Sequence, residues 1–206
     1  MPNEIDKVAP PALPLAPETY DRPFMDQNNN VLRLFFNRFV GSVNTLLSTN
    51  VGGKVLYMPY GVFYSTVDQT AAVADTGYAV TFNSITASSA INVVSGSRIT
   101  VVNPGVYHVK ATLQLESTSG SSKTASLWLA KNGSNVAYSA HEYVVSGSGK
   151  KDVANWNGSV ALVADDYIEV FWATDDTNIE LHTHAAVAPR PAVASATIAV
   201  TFVSNV

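Results

Sequence analysis

The stretch Gly105-Val106-Tyr107-His108-Val109-Lys110-Ala111-Thr112-Leu113-Gln114-Leu115 decides the fold. Tyr107, Val109, Ala111, Leu113 and Leu115 fall at every second position, and that period puts all five on one face of a β-strand. Pro104-Gly105 in front of it reads as a tight turn, and the serine-rich 117–122 behind it as a surface loop. Working outward, short β-rich runs with turn residues between them recur at 54–57, 60–65, 78–82, 91–94, 98–102, 125–130, 135–145, 153–163, 167–173, 179–184 and 195–203. Asn132-Gly133, flanked by Lys131 and Ser134, is a two-residue hairpin signal. The run from Tyr167 to Trp172 carries aromatic and β-branched residues on both faces. The expected architecture is mainly β: a jelly-roll sandwich of about ten strands over residues 53–206.

One segment breaks this pattern. Residues 26–47, DQNNNVLRLFFNRFVGSVNTLL, read as an α-helix, and the helical region is expected over 24–52. Met25, Leu32, Phe39 and Leu46 lie seven residues apart, with Asn28 and Phe35 between them. That spacing lets copies of one helix bury a common seam, and a buried Asn trades stability for register. Two readings stay open: a stalk joining copies of the chain, or a helix packed on its own domain. Asp26 is a candidate cap, and Gly41 costs about 1 kcal/mol relative to alanine. Leu34, Phe36, Val40, Val43 and Leu47 fall off the narrow seam and need cover from the head, the preceding arm or a partner.

Residues 1–23 hold six of the ten prolines, a stiff extended composition without a core. It fits a solvating tail or an anchoring arm; Val8, Ala9, Leu13, Leu15, Ala16 and Tyr20 are the apolar knobs an anchor would use. No basic, apolar leader opens the chain and no run is long and apolar enough for a membrane span, so a soluble product made in the cytoplasm is expected. The formal net charge of −4 without a Lys/Arg cluster argues against nucleic acid or an anionic membrane as partner. The absence of Cys excludes disulfides, thiol catalysis and thiolate metal sites.

Gly105-Val106-Tyr107-His108-Val109, Leu127-Trp128-Leu129-Ala130-Lys131-Asn132-Gly133 and Val160–Val170 together resemble the complement-type domain of the tumour necrosis factor jelly-roll superfamily, over roughly residues 60–206. The last motif departs from the family's Gly-Asp turn by carrying Ala164-Asp165-Asp166. Residues 20–27 and 31–38 resemble the front end of structural proteins of marine tailed phages that carry such a head. The resemblance implies a homotrimeric, non-enzymatic virion protein attached by its N-terminal part, with the terminal strand near the three-fold axis. Its partners would be phage capsid or tail proteins. Decoration of the capsid or a head fibre is one role; a receptor-binding tail tip, meeting a host receptor or glycan through loops 117–122, 146–151 and 182–190, is the other. The seam would be Met25, Asn28, Leu32, Phe35, Phe39 and Leu46, and the anchoring residues Leu13, Leu15, Tyr20, Leu34, Phe36 and Val40.

No nucleophile elbow, phosphate loop, dinucleotide fingerprint or His-Glu-x-x-His helix occurs, so no enzyme activity and no cofactor are expected. Asp165-Asp166 and Asp175-Asp176 offer hard oxygens for calcium, or are simply solvated turn formers. His182-Thr183-His184 is the sharpest spacing. Alternate strand residues share a face, so three copies would present six imidazoles to a metal ion on a three-fold axis; two exposed loop histidines are the alternative. His108 and His141 read as strand residues bonded to neighbours or solvent.

Overall fold

The structure is a computed structural model that describes residues 10–13, 15, 17–47 and 58–205. The expected strand at 54–57, the helical end at 48–52 and the apolar residues Val8, Ala9 and Ala16 lie outside the described residues. The chain divides into two compact units, Met1–Tyr57 and Met58–Val206.

The first unit holds a single described helix, α1 (Arg22–Leu47). It begins ahead of Asp26, which corrects the expected cap. The first backbone bond runs from the Met25 amide to the Asp21 carbonyl, at 3.1 Å. Pro23 suits this first turn, where no amide is missed and its fixed φ is already helical. Asp26 instead lies one turn in, with its carboxylate 3.8 Å from exposed Arg22.

The second unit has fourteen described strands. They are β1 (Tyr60–Ser65), β2 (Gln69–Thr70), β3 (Tyr78–Ala79), β4 (Ser84–Ser89), β5 (Ile91–Val94), β6 (Arg98–Val101), β7 (Gly105–Ser117), β8 (Ser122–Lys131), β9 (Ser134–Asn135), β10 (His141–Ser146), β11 (Lys150–Leu162), β12 (Tyr167–Thr174), β13 (Ile179–Leu181) and β14 (Ala196–Ser204). All pairing is antiparallel. One sheet runs β11–β7–β14–β1–β4, and at the far end of β7 the place of β14 is taken by β13, with β2 beyond it. The other runs β10–β8–β12–β6–β5, with β3 on β12 and β9 on β8. From β7 onward the chain passes between the sheets, to β8 and β10, back to β11, over to β12 and back to β14. This is the winding of a jelly roll.

The β7 alternation is the centre of the core. Tyr107, Val109, Ala111, Leu113 and Leu115 are all buried, against Ile99 and Val101 of β6, Leu127 and Leu129 of β8, Ile168, Val170 and Trp172 of β12, and Ile198 and Val200 of β14. Burial pushes the Tyr107 hydroxyl up to about 12, and it donates to the Asn103 carbonyl at 2.7 Å. Gly105 leaves room for Phe202: a Cβ there would stand 2.4 Å from the Phe202 ring.

Two turns hold the ends of this core together. Asn132 and Gly133 have φ of 50° and 79°, the left-handed pair that a two-residue hairpin demands. The Asn132 amide donates to Asp166 at 2.7 Å, its carbonyl oxygen accepts from the Tyr167 amide at 3.0 Å, and Lys131 reaches Asp166 at 2.9 Å. Asp165, at φ 67°, takes the left-handed turn position that glycine fills at least cost.

Candidate functional site

Two places stand out. The first is the surface of α1, which has no buried residue. At roughly 100° per residue, the seam residues Met25, Asn28, Leu32, Phe35, Phe39 and Leu46 span one side, and Phe36, Val40, Val43 and Leu47 border it directly. Together they form one apolar arc roughly 140° wide, broader than a coiled-coil seam alone. Leu34 stands on the opposite side. Asn28, Leu32 and Phe35 are half-buried, whereas Met25, Leu34, Phe36, Phe39, Val40 and Leu46 are exposed. Phe35 stacks on Phe39 at 6.2 Å and meets Phe36 edge-on at 5.4 Å, so the three rings form a continuous surface. In the arm, Leu13, Leu15 and Tyr20 are likewise exposed.

The second place is on the outer face of the β7 sheet, where antiparallel register does the assembling. Glu116 of β7 lies directly opposite Lys151 of β11 on one side and Glu180 of β13 on the other. Leu181, the next residue, turns inward against Leu115, so His182 returns to the outer face beside Glu180. The His182 amide continues the ladder by donating to the Gln114 carbonyl at 2.9 Å. Thr183 is clamped by Asp68, which accepts from its amide at 2.6 Å and its hydroxyl at 2.8 Å. The backbone bond from Thr183 is the largest of the influences that hold the Asp68 carboxyl below its ordinary range. His184 exchanges both backbone bonds with Val193. The His-x-His segment is therefore pinned at each residue.

This brings the two imidazole rings to 4.9 Å, with Glu116 Oε2 3.7 Å from Nε2 of each. His182 Nδ1 lies 2.8 Å from Glu180 Oε1 and 3.5 Å from Asp68 Oδ2. His182 Nδ1 thus faces two carboxylates, and its Nε2 faces Glu116. His184 Nδ1 is 3.2 Å from the Lys151 ammonium, which also lies 3.5 Å from Glu116. Burial, and next to it the Lys151 charge, pulls the His184 ring below the ordinary histidine range. Glu116 Oε2, His182 Nδ1 and His184 Nε2 are all buried atoms without a hydrogen bond. The side chains of His182 and His184 are only 29% and 13% exposed, so they are not the free loop histidines of the simpler reading.

No family model matches the chain, and no curated protein matches it. Among solved structures it is similar to the structure of Eiger TNF from S. frugiperda, at 11% identity and a TM-score of 0.46, over 72% of this chain and 94% of that one. The jelly-roll assignment stands on the strand pairing itself.

Spacing pointed to His182 and His184 but not to Glu116, Lys151, Asp68 or Glu180. The only local signal was the end of the β7 alternation, which turns Glu116 outward; its neighbours follow from register with distant strands. In the Asp pairs, the carboxylates of Asp166, Asp175 and Asp176 lock turns and strands. Asp166 is held by Asn132, Lys131 and the Val163 amide; burial works against its charge, yet these bonds outweigh it and lower its pKa. Asp175 accepts from the Thr124 amide at 2.9 Å. Asp176 pairs with Lys123 at 2.8 Å, and that bond, with those from Asn178, holds it down at about 2. His108 Nδ1 is 3.5 Å from the Ser159 hydroxyl and His141 Nδ1 is 3.3 Å from the Asn155 carbonyl.

Proposed function

We propose that this chain is a non-enzymatic structural protein of a bacteriophage particle, a homotrimer whose jelly-roll head projects from the capsid while the helix and arm hold it there. The observation that carries the reading is α1: 26 residues with none buried and an apolar arc along one side. A lone helix of this length is marginal in water, and here Gly41 and three consecutive asparagines weaken it further. The arc has to be covered. Three copies joining along the seam would bury Leu32, Phe35 and Phe39, and the bordering Phe36, Val40 and Leu47 would meet the shell together with Leu13, Leu15 and Tyr20 of the arm. The resemblance of the head favours three copies, and that of residues 20–27 and 31–38 favours a virion role. Among the described residues no helix is long and apolar enough to cross a membrane.

The test is quantitative protein analysis of purified particles with gold labelling of the head. Hundreds of copies spread over the shell are expected, and deletion of residues 1–20 should abolish attachment while leaving a soluble trimer. A few dozen copies confined to the tail would overturn decoration and make the head a host-recognition tip. Retained attachment of the truncated protein would overturn the arm's role.

A further inference from the structure

We infer that Glu116, His182 and His184 form a binding site for one divalent transition-metal ion per chain, zinc by preference, with Lys151 as a built-in competitor for the same place. This inference does not depend on the virion reading; it follows from what the three side chains lack. Glu116 Oε2 and His184 Nε2 are buried without a hydrogen bond, 3.7 Å apart, and His182 Nε2 stands at the same 3.7 Å from Glu116, too far for a hydrogen bond. A cation between the three atoms would satisfy the carboxylate and take a lone pair from each imidazole.

The dimensions suit a small ion. The three donor atoms lie within 4.8 Å of one another. Zinc bonds of about 2.1 Å at tetrahedral angles separate ligand atoms by about 3.4 Å, so the Glu116 distances need to shorten by only a few tenths of an ångström. Two imidazoles and one carboxylate suit zinc or its first-row neighbours and not calcium or magnesium, which take all-oxygen sites. Glu180 and Asp68 already stand beside the His182 Nδ1, the outer carboxylates that orient a ligating imidazole. Only three protein ligands are offered, leaving the fourth position to water or another molecule.

Lys151 is the resident cation. Its ammonium donates toward His184 Nδ1 at 3.2 Å and lies 3.5 Å from Glu116, so it draws the His184 proton to Nε2, the atom the metal requires free. Metal entry must therefore swing Lys151 away, which its half-exposed side chain allows.

The experiment uses the full chain, stripped with chelator and dialysed. It is titrated calorimetrically with Zn²⁺, and with Co²⁺ read by visible absorption. One Zn²⁺ per chain is expected, with an intense tetrahedral Co²⁺ spectrum. Glu116→Gln and His184→Gln should each weaken binding at least tenfold, while Lys151→Met should tighten it. Circular dichroism identifies any variant that fails to fold, and Co²⁺ absorption of the unmutated chain provides the readout that needs no variant. Absence of binding would overturn the inference, as would affinity unchanged in the His182→Gln/His184→Gln double variant or weakened by Lys151→Met. One ion per three chains would overturn it in favour of a site shared between copies.

Discussion

The head and the helix handle the same kind of residue in opposite ways. On β7 every second side chain is 0–1% exposed from Tyr107 to Leu115, closed over by strands of the same unit. On α1 the comparable residues Phe36 and Val40 are 56% and 51% exposed. The lesson is about where each element finds its hydrophobic partner. A jelly roll encloses its own apolar face and is complete as one chain, whereas a single amphipathic helix has to borrow a surface. Damage to the two should therefore separate cleanly.

The largest separation is expected from Leu32→Asp combined with Phe39→Asp. Charges in the seam should weaken self-association, so the sedimenting mass falls at low concentration, and the helical circular dichroism signal collapses because an isolated helix of this composition is marginal. The melting of the head should not move. If the mass and helix signal are unchanged, the helix is covered by something other than its own copies. In the opposite direction, Trp172→Ala empties the centre of the sandwich and should cost about 3–5 kcal/mol in denaturant unfolding. Phe36→Ala, made as its counterpart on the helix, should leave head unfolding untouched. A smaller loss, about 1–3 kcal/mol, is expected from Gly105→Ala, whose new methyl meets the Phe202 ring and the Ser204 carbonyl. Unfolding midpoints of the head measure both core losses, and an unchanged midpoint for Gly105→Ala would mean that Phe202 has room to move aside.

The same contrast explains what could be read from the chain alone. Strands at 60–65 and 91–94 emerge at the expected bounds because β-branched and aromatic residues fill them. Ser84–Ser89 was missed: SITASS is poor in such residues and depends on pairing with β1. The run expected at 135–145 is broken by Tyr138, at φ 61°, and by Ser139, whose hydroxyl donates to the Val136 carbonyl at 2.8 Å. The His-x-His spacing was legible because it is local. Glu116 and Lys151 were not, because strand register across the sheet brings them there, and register is a property of the packed fold.

Acid is the finest probe of the difference, because the head carries carboxylates whose pKa values are depressed by bonds that exist only when it is folded. Asp176 is held at about 2 by Lys123 and Asn178, and Asp166 is lowered by Asn132 and Lys131 against the opposing effect of burial. A group with a depressed folded pKa binds fewer protons folded than unfolded, so its contribution is complete above the unfolded value near 4 and is lost as pH falls toward the folded value. Head stability should accordingly fall in two stages: first below about pH 6.5, where His184 takes up a proton more readily unfolded than in its buried folded place, and again between about pH 4 and pH 2 as the carboxylates protonate. Asp176→Asn should lower the plateau slightly and flatten the second stage of the decline, since the proton no longer has that site to bind. A decline of unchanged depth in this variant would assign the acid sensitivity to Asp166 with its hairpin lock and to Asp68 with its Thr183 clamp instead.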